Sequence, residues 1–238
     1  KHLVSMGYGY RLGVDLPGES RGFLPNDKFY DKFYGRGHWS ANTIISVSIG
    51  QGEILATPLQ IANLAATIAN RGWFITPHVV KEIADTVMPP EYLERHRPTI
   101  DQHWYNDVAE GMRMAVLGGT CRRAAIPDIE VAGKTGTAQN PHGKDHSSFI
   151  GFAPYNNPKI AVVAYIENGG WGATFGVPIG SLVMEKYLTG HISEQRKGME
   201  TQMLTTYLVR PSSDSKGHKP KTKAKAGESA PADSTANK

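Results

Sequence analysis

The sequence holds one cysteine, Cys121, in 238 residues, so no intramolecular disulfide framework supports the fold. A lone thiol reads as a small side chain packed in the core, because a catalytic cysteine needs a poised partner. No run approaches the roughly 18 apolar residues of a membrane span, and Lys1-His2 does not open a signal peptide. The chain also lacks an initiator methionine and reads as a piece of something longer. His-Glu-x-x-His is missing and the nine histidines are scattered, so no metal site is expected. Ser46-Val47-Ser48-Ile49-Gly50 lacks the first glycine of a nucleophile elbow. Gly133-Lys134-Thr135 ends like a phosphate-binding loop, but that loop needs a glycine at position 128, where Asp128 stands. No nucleotide or other cofactor is expected.

What is present is ordinary for a globular chain: 39% hydrophobic and 20% charged residues, enough apolar material for a core. The net charge of +4 is local. Residues 211–238 carry six lysines against three acids, which leaves the rest near neutral and gives no ground for nucleic-acid binding. A lysine run among Ala, Pro and Ser is expected to be a disordered, solvated tail over residues 210–238.

Residues 1–40 read as a glycine-rich lead-in, with Phe29, Tyr30, Phe33, Tyr34 and Trp39 pinning a loop to the body. Residues 43–49 are β-branched and strand-like until Gly50-Gln51-Gly52 turns the chain. A helix follows: Thr57 as N-cap, Pro58 at its first position, Gln60 closing a capping box and Gly72 as the stop. Leu59, Ile61, Ala62, Leu64, Ala65 and Ile68 give it a broad apolar face. Residues 73–83 suggest an edge strand broken by Pro77. Residues 106–117 suggest a helix with Val108, Met112, Ala115 and Val116 on one side. Three strands then come in quick succession, running to Gln139, over 147–153 and over 160–167. Their short connections imply antiparallel neighbours. A helix over 177–188 stops at Gly190, and 193–209 suggest one more helical stretch. The order predicts an α+β, or mixed α/β, fold: an antiparallel sheet flanked by helices.

The chemistry concentrates in the first of the three strands. Ile129 and Val131 flank polar Glu130 in the out-in alternation of a strand, and Lys134-Thr135-Gly136-Thr137 follows. A strand that exchanges bulk for Gly and Thr packs poorly and marks close approach by a backbone or ligand. The ammonium supplies charge, the hydroxyls can bind an anion, and Gly136 removes a Cβ from the path of a substrate chain.

Lys-Thr-Gly in such a strand, leading into two hairpins and a closing helix, resembles the penicillin-recognising serine acyltransferases, whose set is Ser-x-x-Lys, Ser-x-Asn and Lys-Thr-Gly. The likeness extends over about residues 5–190. Gly13-Val14-Asp15-Leu16-Pro17-Gly18-Glu19, Ser48-Ile49-Gly50-Gln51-Gly52, Ala56-Thr57-Pro58-Leu59-Gln60, Phe152-Ala153-Pro154 and Glu167-Asn168-Gly169-Gly170 are all similar to class B penicillin-binding proteins of the elongation type. Ser213-Asp214-Ser215-Lys216 and Ser40-Ala41-Asn42 match the other two motifs by letters. The first follows the strand and lies in the tail; the second follows an aromatic stretch and lies too near Lys134 in sequence. Both are judged coincidental, and the nucleophilic serine is expected to be absent from this chain.

That resemblance implies a peptidoglycan D,D-transpeptidase domain over residues 1–209, incomplete in this chain, that works through a serine acyl-enzyme. It implies Lys134 as the catalytic cation and the Thr137 backbone N–H as an oxyanion donor. Thr135, Gly136 and Thr137 would hold the substrate, with Asn168, Gly169 and Gly170 at the rim. Implied partners are peptidoglycan stem peptides, β-lactam inhibitors, a membrane glycan polymerase and other elongation-complex proteins. An N-terminal membrane anchor would leave the domain facing the periplasm or cell exterior. The alternatives are a β-lactamase of related fold and a non-catalytic β-lactam-binding sensor.

Overall fold

In the computed structural model, residues 1–208 are described, and Lys1–Thr206 form one compact unit. The expected tail from 210 onward, with Ser213, lies outside the described residues. In chain order the elements are α1 (His2–Ser5), α2 (Asp27–Tyr34), α3 (Ile45–Ser48), α4 (Pro58–Ala69) and α5 (Trp104–Leu117). Strands β1 (Ala132–Ala138), β2 (His146–Ala153) and β3 (Ile160–Ile166) follow, then α6 (Gly176–Thr189) and α7 (Lys197–Thr205). The strands form one antiparallel sheet in the order β1-β2-β3, and the expected mix of helices and antiparallel strands is what is found.

Side chains alternate across the sheet, and each face has its own core. Val131, Phe149 and Ala153 pack with Val177 and Met184 of α6 and with Val116, Cys121 and Ala124. Ala132 and Phe152 point the other way, onto Ile68 and Ala69 of α4 and Tyr105, Ala109 and Met112 of α5. α5 begins earlier than its periodicity suggests, and Ala109 rather than the half-exposed Val108 faces the core.

α4 starts as expected. The Thr57 side chain accepts from Gln60 N–H at 3.2 Å, and Gln60 Oε1 accepts from Thr57 N–H at 3.0 Å. Its far end differs: the first left-handed residue is Arg71 (φ 58), one before Gly72 (φ 102). A non-glycine residue is strained there. Its guanidinium compensates by donating to the Ile68, Ala69 and Tyr155 carbonyls while lying 5.2 Å from the Tyr155 ring centroid. The apolar face is also narrower than expected. Leu59 is exposed, and Gln60, Asn63 and Thr67 are buried instead.

Those buried polar groups hold the lead-in. Gln60 Nε2 donates to the carbonyls of Gly7, Tyr10 and Arg21 at 3.0–3.1 Å, and Asn63 Nδ2 to Met6. The Glu19 carboxylate accepts three successive N–H groups, from Leu12, Gly13 and Val14. Asp15 accepts from Val79 and Val80 at 2.8 Å each. Loop backbone must find partners somewhere, and here side chains supply them.

Three local expectations are corrected. Residues 29–34 are helical rather than loop, because Asn26 caps Phe29 N–H and Phe29–Phe33 and Tyr30–Tyr34 stack at i, i+4 spacing. Residues 43–49 contain the helical turn α3, not a strand; among the described residues no neighbouring strand rewards their β-branching, and Ser48 Oγ donates to Ile45 O. Residues 73–83 make isolated bridges, Phe74 to His96 and Ile83 to Thr86, with no strand. The amides of Val79 and Val80 are taken by Asp15 instead.

The expected last helical stretch is a 3-10 turn, Glu194–Arg196, followed by α7. Arg196 is buried against Glu185 of α6 at 2.9 Å. Burial pulls the guanidinium pKa down, and the Glu185 charge works against that shift. The pair fastens the segment leading into α7 onto α6.

Candidate active-site wall

Among the described residues strand β1 has a partner on one side only, which makes it an edge there. Its register places Lys134 opposite Ile150, Thr135 opposite Phe149, Gly136 opposite Ser148 and Thr137 opposite Ser147. Lys134 and Gly136 therefore share the face of α4 and α5, and Thr135 and Thr137 share the face of α6. The glycines are steric necessities. A Cβ on Gly133 would run into the Phe149 ring, and one on Gly136 into Ser148 Oγ.

The backbone of alternate residues turns to the free edge. Arg113 of α5 donates to Val131 O at 3.2 Å. The Thr135 N–H faces the Cys121 thiol, and Lys134 Nζ donates to Thr135 O at 2.9 Å. Residues 131 and 135 thus project outward, and by the same two-residue period so does Thr137. Among the described residues no group accepts from the Thr137 N–H. Lys134 is exposed beside it.

Each threonine hydroxyl has a polar partner, and those of Thr135 and Thr120 also reach the Cys121 thiol. Thr135 Oγ1 lies 3.0 Å from Thr120 Oγ1. Thr137 Oγ1 accepts from the Gly172 N–H at 3.1 Å. Gly172 passes so close beneath the sheet that a Cβ there would strike the Gly136 and Ser148 carbonyls. Buried Ser147 fixes this crossing: its hydroxyl donates to Trp171 O at 2.8 Å and accepts from the Gly176 N–H, at the start of α6, at 3.0 Å.

The rim residues are near but occupied. Asn168 adopts the left-handed region (φ 56), gives its N–H to His146 Nδ1 at 3.0 Å and accepts from Asn140 Nδ2 at 2.9 Å. Gly169 packs on Ser147, where a Cβ would meet that of Ser147 at 2.9 Å. The Gly170 N–H donates to Asp145 O at 2.7 Å. These three bind the β1–β2 and β3–α6 connections together, and the loop reaches the strand through Gly172. Trp171 is 79% exposed.

Cys121 is wholly buried, and burial raises its thiol pKa. It stays a neutral packing group, as its isolation in the sequence suggests. Ser40 sits exposed beside a turn. Among the described residues no group of three or more His, Cys, Asp or Glu is arranged for a metal, and no helix is long and apolar enough to cross a membrane. Thr120, Arg113, Ser147 and Gly172 were not singled out from sequence. Gly118-Gly119-Thr120, between a helix stop and the key strand, was the one available signal.

An edge strand carrying an exposed cation, two oriented hydroxyls and an outward N–H is suited to an anionic or carbonyl ligand. The penicillin binding protein transpeptidase domain model matches residues 1–185. The chain belongs to this family. Its relatives include the peptidoglycan D,D-transpeptidase MrdA of Acinetobacter baumannii, 36% identical over 72% of this chain and 28% of that protein. The same-named protein of Haemophilus influenzae is 33% identical over 82% and 33% respectively. Among solved structures, Pseudomonas aeruginosa PBP2 superposes with a TM-score of 0.68 at 33% identity, covering 81% of this chain and 43% of that one. Helicobacter pylori PBP2, solved in complex with MreC, gives 0.66 at 28% identity over 79% and 34%. The chain spans about a third of the length of the curated relatives it matches, and the expected resemblance to elongation-type class B members holds.

Proposed function

We propose that this chain forms the substrate-recognition wall of a serine D,D-transpeptidase that cross-links peptidoglycan stem peptides. The observation that carries the reading is the edge of β1, with Lys134 exposed, the Thr137 N–H turned outward and the Thr135 and Thr137 hydroxyls on the α6 face. A serine supplied by sequence outside these residues attacks the carbonyl between two terminal D-alanines. Its proton passes toward the departing amine with Lys134 charge nearby. The terminal alanine leaves, and an amine from a neighbouring strand resolves the ester, restoring the serine. The hydroxyls of Thr135 and Thr137 hold the terminal carboxylate, and Gly136 lets the peptide lie against the strand. The Thr137 N–H and the nucleophile's own N–H stabilise the oxyanion; one such donor contributes about 3 kcal/mol to the transition state. The rim of Asn168, Gly169 and Gly170 borders the cleft.

The same reading extends to covalent inhibition by β-lactams and to a membrane-anchored setting at the periplasm or cell exterior. Its partners would be a glycan polymerase and other elongation proteins, in line with the MreC complex of the Helicobacter pylori relative. Residues 1–209 are assigned to the transpeptidase domain and 210–238 to a separate tail.

The test is fluorescent-penicillin labelling of a protein of the relatives' full length that carries this chain. A labelled serine outside residues 1–238 is expected, and Lys134→Ala should slow acylation roughly 100-fold or more. No labelling would overturn the assignment. Fast release of the label would indicate a β-lactamase, and acylation without peptide cross-linking a sensor. The 238-residue chain alone should take up no penicillin; a stable adduct on Ser40 or Ser213, seen by mass spectrometry, would contradict the proposal.

A further inference from the structure

We propose that Thr120 is a positioning residue that turns the Thr135 hydroxyl into a dedicated donor toward the substrate carboxylate. This rests on the transpeptidase reading above and assigns a determinant of its selectivity for a free acid.

Thr120 is exposed, yet its backbone is fixed on both sides. Gly119 packs so tightly on α5 that a Cβ would lie 2.9 Å from Ala115 Cα. Cys121 is anchored by full burial and by its N–H to Ala115 O at 3.0 Å. The residue between them is an outward-pointing hydroxyl on a rigid turn, 3.0 Å from Thr135 Oγ1. Without it, the half-buried Thr135 hydroxyl would turn between water and the Cys121 thiol, donating and accepting by turns.

The neighbouring threonine shows the logic. The Gly172 N–H is an obligate donor, so it fills a lone pair of Thr137 Oγ1 and leaves that hydroxyl's own proton for an outside acceptor. When Thr120 donates to Thr135, the second hydroxyl is set the same way. A carboxylate only accepts and its charge strengthens each bond it accepts, so two hydroxyls committed to donating favour a free acid over a neutral ester or amide. In the empty site water competes with the Thr120–Thr135 bond, and its effect on stability is small. Under a bound peptide that shields it, the orientation decides how well the carboxylate is held.

The experiment compares acylation rates of the full-length protein by benzylpenicillin and by its methyl ester, which lacks the charged group. Thr120→Val should slow acylation by the free acid about 2- to 12-fold, the scale of one hydrogen bond between neutral groups. It should leave the ester rate and the Tm near wild type, and Thr120→Ser should restore the free-acid preference. Equal loss on both probes with a lowered Tm would show a merely structural residue and overturn the proposal, as would wild-type discrimination in Thr120→Val. If the unmodified protein is not acylated at all, it is the transpeptidase reading that fails, and this assignment with it.

Discussion

The meander and the lead-in are held together by different forces. Residues 131–189 are built on apolar contacts: Phe149 and Phe152 are each fully buried, one on either face of the sheet. Residues 1–57 contribute few core side chains. They are tied by polar side chains that collect loop amides and carbonyls, Glu19, Asp15, Gln60 and Asn63 foremost. Apolar burial is non-directional and summed over area, so the meander should fail as a unit. A side chain that satisfies several buried backbone groups fails locally, because each abandoned group costs separately.

The largest expected effect breaks the meander. Phe149→Ala should cost about 3–5 kcal/mol and lower the melting temperature of the full-length protein in a single transition. A loss under about 1 kcal/mol would show that the α6 face is not the main core. Next, Gln60→Ala abandons the Gly7, Tyr10 and Arg21 carbonyls at a cost of about 2–3 kcal/mol. Hydrogen exchange should rise over residues 7–23 while β2 amides stay protected. Uniform exposure of both regions would erase the distinction.

The smallest effect is a pH response where the lead-in meets residues 79 and 80. Amides of Val80 and Val79 hold the Asp15 carboxyl below its ordinary value of 3.8. Its contribution is complete above that value. It fades as pH falls further and is lost once the lowered folded value is passed. Below pH 3.8 the protection of the Val79 and Val80 amides, relative to their intrinsic exchange rate, should begin to fall, and Asp15→Asn should abolish the change. A response that survives this substitution would place its source elsewhere.

The same contrast governs what was readable beforehand. The three strands and the α6 helix announce themselves by short-range periodicity, and Thr57-Pro58-x-Gln60 carries its own capping chemistry, so these elements lie close to expectation, although β1 begins at Ala132 and not at Ile129. The aromatic helix α2 was missed because its apolar residues sit among charges, and the supposed strand at 73–83 because its amides bind Asp15, far away in sequence. Within the site, Lys134 to Thr137 were visible as a motif. Thr120 and Gly172 were not, since each matters only through a contact with a strand that sequence spacing does not reveal.

Arg71 carries a consequence of its own. Glycine would suit its left-handed backbone better but would surrender three carbonyl partners and the aromatic stacking on Tyr155. Every single change there trades one fault for another. The position is a local optimum bounded by conflict, and evolution can leave it only by altering the helix end and the β2–β3 turn together. Sequence drift at residues 71 and 155 should therefore be correlated, coupling two segments 84 residues apart.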